Sequence, residues 1–481
     1  MNVLFIYSLG SIVSPTKPLQ NLEQIQFGIS YISSVLKENK HNTKLTILSR
    51  LLGKKNNKII DEVCAEFKPE LICFTAVSTE YPFVVKIAEY IASKYPDIYL
   101  LAGGTHVSLN STDASKDCFD AICIGEGEYP TLELIAQLDN GVEPSNIQNL
   151  WIKNSGGIEK NPTRPFLQNI DQLPFPDRGM WEEFLGQDVD SASKCSVMLG
   201  RGCPFFCTYC SNHALKKIAS GRYVRNRSPL NITNEIKEIA LFYPAIKEIY
   251  LEIETIGINN EWALELCSEL RKLNENRTTS INFGVNLRIV PNMDLESLFG
   301  AFKEGNINFV NIGLESGSER VRREVLKRYY SNQDVISAVR LAHQNNLKVS
   351  FYNMLGLPGE SMEELNETIR MNRICKPDSY YLGIFYPYPG TDLYYLCKKN
   401  GLLPKVVDVN TERRGVCLDL PLALKKKIMK KYIWFEYEVY KNIKPLYKIL
   451  FKVLKNKLST YDRLFYFARR ITAPFFKLLE R

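Results

Sequence analysis

The chain has 481 residues, 45% hydrophobic and 24% charged, with a formal net charge of +8. That length exceeds one ordinary core and predicts two or three domains, and the globular composition excludes a fibrous or disordered chain. The charge is uneven: residues 421–481 hold 16 Lys/Arg and 4 Asp/Glu, so the tail carries +12 and the rest sums to −4.

Residues 1–140 alternate strand and helix signals. Short apolar runs at 2–8, 44–50, 70–77, 98–104 and 121–126 predict strands, and helical patterns at 25–38, 59–67, 83–94 and 131–138 separate them. This alternation predicts a doubly wound parallel sheet of the Rossmann or flavodoxin-like kind, whose ligands bind beyond the strand carboxyl ends. Thr75, Ser78, Gly103, Gly104, Gly125 and Glu126 fall there. Glycine at such places lets the backbone approach a bulky ligand, although each alone reads equally well as a turn glycine. Residues 141–194 read as a linker with a small hairpin turning at Gly156–Gly157.

A second alternating series occupies 195–390. Strands are predicted at 195–199, 248–254, 281–287, 309–315, 348–355 and 380–385, with helices at 228–242, 260–273, 293–304, 331–345 and 361–374. Six strands in this order predict a partial six-fold β/α barrel, with active residues at the strand carboxyl ends. Polar and glycine-rich stretches gather at those ends: Glu252 and Glu254, Asn286 and Arg288, GLESGS at 313–318 and LGLPGES at 355–361. Residues 391–481 form a basic helical C-terminal region. Its apolar residues at 421–481 recur every three or four positions between lysines, interrupted at Pro445. That pattern fits a lid packed on the barrel, a membrane-surface element or an RNA contact.

After the first barrel strand stands RGCPFFCTYCSNH, with Cys203, Cys207 and Cys210 in C-x3-C-x2-C spacing and His213 behind them. The other nine cysteines are scattered. Together with a start, MNVLFIYSLG, that has neither a basic region nor a cleavage site, this predicts a reduced cytoplasmic protein without disulfides. Thiolates bind zinc and iron–sulfur clusters alike. A closed zinc site would need His213 or another fourth ligand in one cramped loop. Three thiolates on a 4Fe-4S cluster would leave one iron open to a chelating amino and carboxylate pair, as S-adenosylmethionine (SAM) offers.

This loop resembles that of the radical SAM superfamily, with Tyr209 in its aromatic slot. GGTHVSL (103–109), GEGEYP (125–130), LPFPDR (173–178), RYVRNRSP (222–229), GLESGSERVRREVLKR (313–328) and GLPGES (356–361) follow in the order of the subfamily with a cobalamin-binding domain, which is class B radical SAM methyltransferase-like. The resemblance implies that Cys203, Cys207 and Cys210 hold the cluster and that Tyr209 lies near adenine. It places Glu252 or Glu254 at the methionyl amino group, although these residues differ from the common glycine-rich form. Asn286, Arg288, Glu315 and Ser316 would reach the ribose and carboxylate, Leu357 would pack on adenine, and the six first-domain residues named above would face cobalamin. No histidine falls in a D-x-H-x-x-G motif, so either cobalamin would bind without a histidine on cobalt, as is usual in this subfamily, or the domain would be a shell without its cofactor.

The cofactors so implied are a 4Fe-4S cluster, SAM and cobalamin. The reaction implied is methylation of an unactivated carbon through a 5′-deoxyadenosyl radical and methylcobalamin, with no single catalytic side chain assigned. The expected partners are a small-molecule or lipid-like substrate, an external electron donor such as flavodoxin or ferredoxin, and a membrane surface at 421–481, which would place the protein peripherally at the inner face of the membrane; nucleic acid is not expected. The competing readings are a radical rearrangement, cyclisation or carbon–carbon coupling, a tRNA or protein methylthiotransferase, and a zinc-stabilised scaffold without activity. The methylthiotransferase reading needs a second cluster, and Cys64, Cys73, Cys118 and Cys123 share no loop that would hold one.

Overall fold

The structure is a computed structural model that describes residues 1–461 except 11, 13, 187, 188, 276 and 407. It divides into two compact units: Met1–Phe205 with Cys210–Glu252, and Phe206–Tyr209 with the chain from Ile253 onward.

The first unit carries a seven-stranded sheet built from β1 (Asn2–Ser8), β2 (Asn42–Leu48), β3 (Leu71–Thr75), β4 (Tyr99–Gly103), β5 (Ala121–Cys123), β6 (Leu150–Asn154) and β7 (Gly157–Lys160). Its order is β2-β1-β3-β4-β5-β6-β7. The first five strands run parallel, in the flavodoxin-like order. Helices Phe27–Glu38, Lys55–Phe67, Tyr81–Lys94 and Glu128–Asp139 cross between them, as the apolar periodicity predicts. Leu4, Ile6, Ile72, Phe74, Leu100 and Ile122 alternate onto one sheet face and form a core with Ile60, Ile87 and Ile91 of two of those helices. The hairpin turning at Gly156–Gly157 is present, but it extends this sheet: β6 pairs antiparallel to β5, and β7 to β6. A local turn signal locates a hairpin without saying what it docks on.

The six predicted barrel strands all form. In the first unit β8 (Lys194–Met198) pairs parallel to β11 (Glu248–Glu252), and a two-residue ribbon joins β9 (Gly200–Arg201) to β10 (Arg225–Asn226). In the second unit β12 (Asn282–Leu287), β13 (Ile307–Glu315), β14 (Lys348–Leu355) and β15 (Ser379–Ile384) run parallel in that order. Helices Asn260–Glu275, Leu295–Glu304, Asn332–Gln344 and Met362–Cys375 alternate with them. The last two begin at serine capping boxes, Ser331 with Asp334 and Ser361 with Glu364.

The basic region forms helices Leu422–Tyr440 and Leu446–Ser459, separated at Pro445. Their inner faces pack on the barrel strands: Ile428, Tyr432, Phe435, Val439, Ile449 and Val453 join Leu355 and Ile384 in one core. The packed-lid reading therefore holds for these faces. Residues 462–481 of the predicted tail lie outside the described residues. No helix among the described residues is long and apolar enough to cross a membrane.

Candidate active site

The cysteine loop begins at close backbone contacts. A Cβ on Gly202, whose φ is +87, would lie 2.2 Å from the Tyr223 carbonyl oxygen, so only glycine lets the loop leave the β9–β10 ribbon at this point. Cys203 and Cys210 are half-buried and belong to the first unit, while buried Cys207 belongs to the second. In the second unit Thr208 donates its hydroxyl to Val325 O at 2.6 Å, and Leu393 N donates to Thr208 O at 2.8 Å.

Charge surrounds the Cys207 sulfur. It accepts from Arg288 Nη1 at 2.7 Å, and Arg328 Nη1 lies at 3.9 Å. Two buried guanidiniums beside one sulfur put positive charge where an anionic iron–sulfur centre would sit, so the residues present fit a cluster. Arg328 also donates to Tyr209 OH at 3.1 Å and to Gly313 O at 2.8 Å, and pairs with Glu315 at 3.5 Å. Among the described residues no three His, Cys, Asp or Glu side chains are grouped closely enough to hold a metal ion. The assignment of the cluster to Cys203, Cys207 and Cys210 therefore rests on their spacing and on the setting of Cys207.

The strand ends supply the rest of this unit's site. Glu315 has φ +61, a left-handed conformation uncommon for glutamate, at a register shift between β13 and β14. Non-glycine residues hold such a conformation only where their surroundings over-determine it, and these residues cluster at functional sites. Buried Ser316 follows, its carbonyl accepting from Arg322 Nη1 at 2.7 Å. A π-helical turn, Val321–Val325, then carries the chain to Arg328. Asn286 donates its amide to Ile253 O at 3.1 Å, and Arg288 N donates to the Thr255 hydroxyl at 2.8 Å, so β12 is tied to the segment holding Glu254. Glu252 ends β11 in the first unit. Buried Leu357 donates its amide to Glu360, as does Gly356, at 3.3 and 2.8 Å. Burial outweighs these two hydrogen bonds and pushes the Glu360 carboxyl up to about 8.

The first unit holds a cavity of about 220 Å³ at the carboxyl ends of β3, β4 and β5. Thr75, Gly103, Gly104, Gly125 and Glu126 line it. Ser78 does not; its hydroxyl is 3.0 Å from His106 Nδ1. Gly104 has φ +98, and a Cβ there would meet Ala76 N and O at 2.8 Å. Glycines at the strand ends leave room there for part of a large ligand such as cobalamin.

Ion pairs at the cavity and beside it hold together motifs far apart in sequence. Glu126 accepts from Arg201 at 2.8 Å and from Arg225 at 2.9 Å, and Arg201 also reaches Glu128 at 2.5 Å. Burial alone would raise the Glu126 carboxyl, but the two arginines outweigh it and hold the group below its usual range. Glu235 likewise joins Arg178, at 2.6 Å, to Arg227. GEGEYP, LPFPDR, the cysteine loop and RYVRNRSP are thus pinned by carboxylate–guanidinium contacts.

Comparison with known proteins matches residues 21–135 to the B12 binding domain and 197–371 to the Radical SAM superfamily. An uncharacterized methyltransferase of Pyrococcus horikoshii is 27% identical over 452 residues, 91% of this chain and 94% of that protein. The anaerobic magnesium-protoporphyrin IX monomethyl ester cyclase of Rubrivivax gelatinosus is 23% identical, covering 92% of this chain and 80% of its own. The radical S-adenosylmethionine methyltransferase TsrM of Kitasatospora setae, solved with cobalamin and a [4Fe-4S] cluster, superposes with TM-score 0.64 at 15% identity, over 84% of this chain and 79% of that one. The chain is a cobalamin-dependent radical SAM enzyme.

For this radical SAM enzyme the cofactors are the 4Fe-4S cluster, SAM and cobalamin, and the type is methyltransferase-like. The methylthiotransferase and zinc-scaffold alternatives are not favoured. The first unit's scattered cysteines agree with that. Burial pushes Cys64 and Cys118 up to about 11 and Cys123 up to about 12, and it raises Cys73 as well, so these thiols stay protonated. His213 is buried in the short helix Ser211–Leu215 behind the loop. Sequence reasoning missed Arg201, Arg225, Arg328 and Glu360 as individuals, although each stands inside or beside a motif it had singled out.

Proposed function

We propose that this enzyme methylates an unactivated carbon of a small molecule. The observation that carries the reading is one chain with a glycine-walled cavity in its cobalamin-binding unit and a Cys207 sulfur clasped by Arg288 and Arg328 in its barrel unit. When bound, the three cofactors would together supply a hydrogen-abstracting radical and a methyl group. Cys203, Cys207 and Cys210 hold the cluster. Arg288, Glu315, Ser316 and one of Glu252 and Glu254 orient the methionyl and ribose groups of SAM, while Tyr209 and Leu357 exclude water from adenine. Thr75, Gly103, Gly104, Gly125 and Glu126 shape the cobalamin cavity. In this reading 1–140 is the cobalamin-binding domain, 141–194 the linker, 195–390 the radical SAM barrel and 391–481 the basic helical region.

The electron comes from a small carrier such as flavodoxin or ferredoxin. The basic, aromatic helices beyond residue 421 favour a lipid-like substrate met at the inner surface of the membrane by a cytoplasmic enzyme. The test is anaerobic reconstitution with SAM carrying a deuterated methyl group. Label is expected on the bound corrinoid and then in the product. Formation of 5′-deoxyadenosine without label in either would turn the assignment toward ring closure or rearrangement, in keeping with the likeness to a cyclase.

A further inference from the structure

The helix Leu446–Ser459 buries only part of its apolar surface. Ile449 and Val453 are 1% and 7% exposed and belong to the core beside β14 and β15. Leu446, Tyr447, Leu450 and Leu454 are 58%, 60%, 44% and 52% exposed. At about 100° per residue these four occupy one continuous arc next to the buried one. A lid that only had to cover the barrel would carry polar residues on that arc. Around it the charge has one sign: residues 441–461 contain six lysines and no acidic residue.

We propose that this outward leucine–tyrosine stripe docks on an anionic lipid surface. The apolar residues would enter the acyl boundary, while Lys457, on the same arc one turn beyond Leu454, extends to the headgroups, so that the helix lies in the interface and does not span it. Charge selects this occupant. A second copy docked through the same face would oppose lysine to lysine across the symmetry axis. Residues 462–481 hold five Lys/Arg and two Asp/Glu, and would bring like charge to the stripe if they covered it. Nucleic acid would engage the lysines but gains nothing from exposed leucines. The inference rests on the lipid-facing part of the reading above and not on methyl transfer. Flotation needs neither SAM nor turnover, so the two fail separately.

The experiment is flotation of the full chain with phosphatidylcholine vesicles, with and without phosphatidylglycerol. Binding to the anionic vesicles is expected, weakening as salt rises. Leu450→Asp with Leu454→Asp should lower it at least tenfold with an unchanged melting temperature, since both side chains are exposed. Lys457→Gln should lower it about fivefold, more than Lys448→Gln on the far face. Any of four results would overturn the proposal. The folded chain does not float with anionic vesicles. The double aspartate variant floats as well as the parent. Truncation after residue 461 abolishes flotation or raises it several-fold, which assigns the contact or the cover to the last twenty residues. Light scattering shows a dimer that the double variant dissociates.

Discussion

The cavity of the first unit is opened by glycines at its strand ends, whereas the cysteine end of the second is lined by buried charge. Gly103, Gly104 and Gly125 leave space by having no side chain, and Glu126 and Arg201 line the same cavity as an ion pair that Arg225 shares. In the second unit Arg288 and Arg328 are themselves the surface, aimed at one sulfur. The difference follows what each must hold. A large group is accommodated by shape, and an anionic metal centre is favoured by oriented positive charge in a low dielectric. The same residue type is therefore set differently: Arg201 and Arg225 meet the Glu126 carboxylate in the first unit, whereas Arg288 and Arg328 approach a sulfur in the second.

The comparison breaks most completely at Cys207. Cys207→Ala should abolish bound iron while cobalamin binding persists, and His213→Ala should keep its iron; iron and sulfide analysis after anaerobic reconstitution reads both. Gly104→Ala tests the other wall. Its Cβ would strike the Ala76 backbone in a conformation that costs a non-glycine residue about 1–3 kcal/mol, so cobalamin affinity should fall more than tenfold with iron unchanged. Absorbance titration with hydroxocobalamin checks it, and equal affinity would mean that the cavity is not the site.

Arg225→Gln addresses the brace instead of the ligand. Losing one of the two guanidiniums on Glu126 should cost about 2 kcal/mol and lower the Tm, with the cluster spectrum unaltered. Glu360→Gln should have the smallest effect, visible as pH dependence. The folded carboxyl titrates at about 8, above its unfolded value, so the native state holds a proton the unfolded chain has lost. Stability from this group is present below the unfolded value and declines as pH rises through about 8. The glutamine variant should flatten that decline in melting curves taken between the two limits, and an unchanged slope would place the titration elsewhere.

Much of this was legible because strands and helices announce themselves locally. The apolar runs at 2–8 and 348–355 match β1 and β14 end for end. What was hidden depended on distance in the chain or on single positions. Glu126 and Arg225 are 99 residues apart, and nothing in GEGEYP says which arginine it binds. ERVRREVLKR reads as a solvated, charged helix face, yet Arg322 and Arg328 are buried while Arg320 and Arg323 are exposed. The chemistry of each residue was visible, but its direction was set by a π turn that periodicity does not reveal.

That turn, Val321–Val325, closes with Leu326 N donating to Val321 O, five residues back. It has the form of a helical turn with one residue to spare. Removing a residue there would rotate the exit by about 100° and carry Arg328 away from the sulfur. Substitution tables would score such a deletion as one small gap. For this chain it would be a change of phase: the stretch between GLESGS and Arg328 is free in residue type only at exposed positions such as Arg323 and Glu324, and not in residue count.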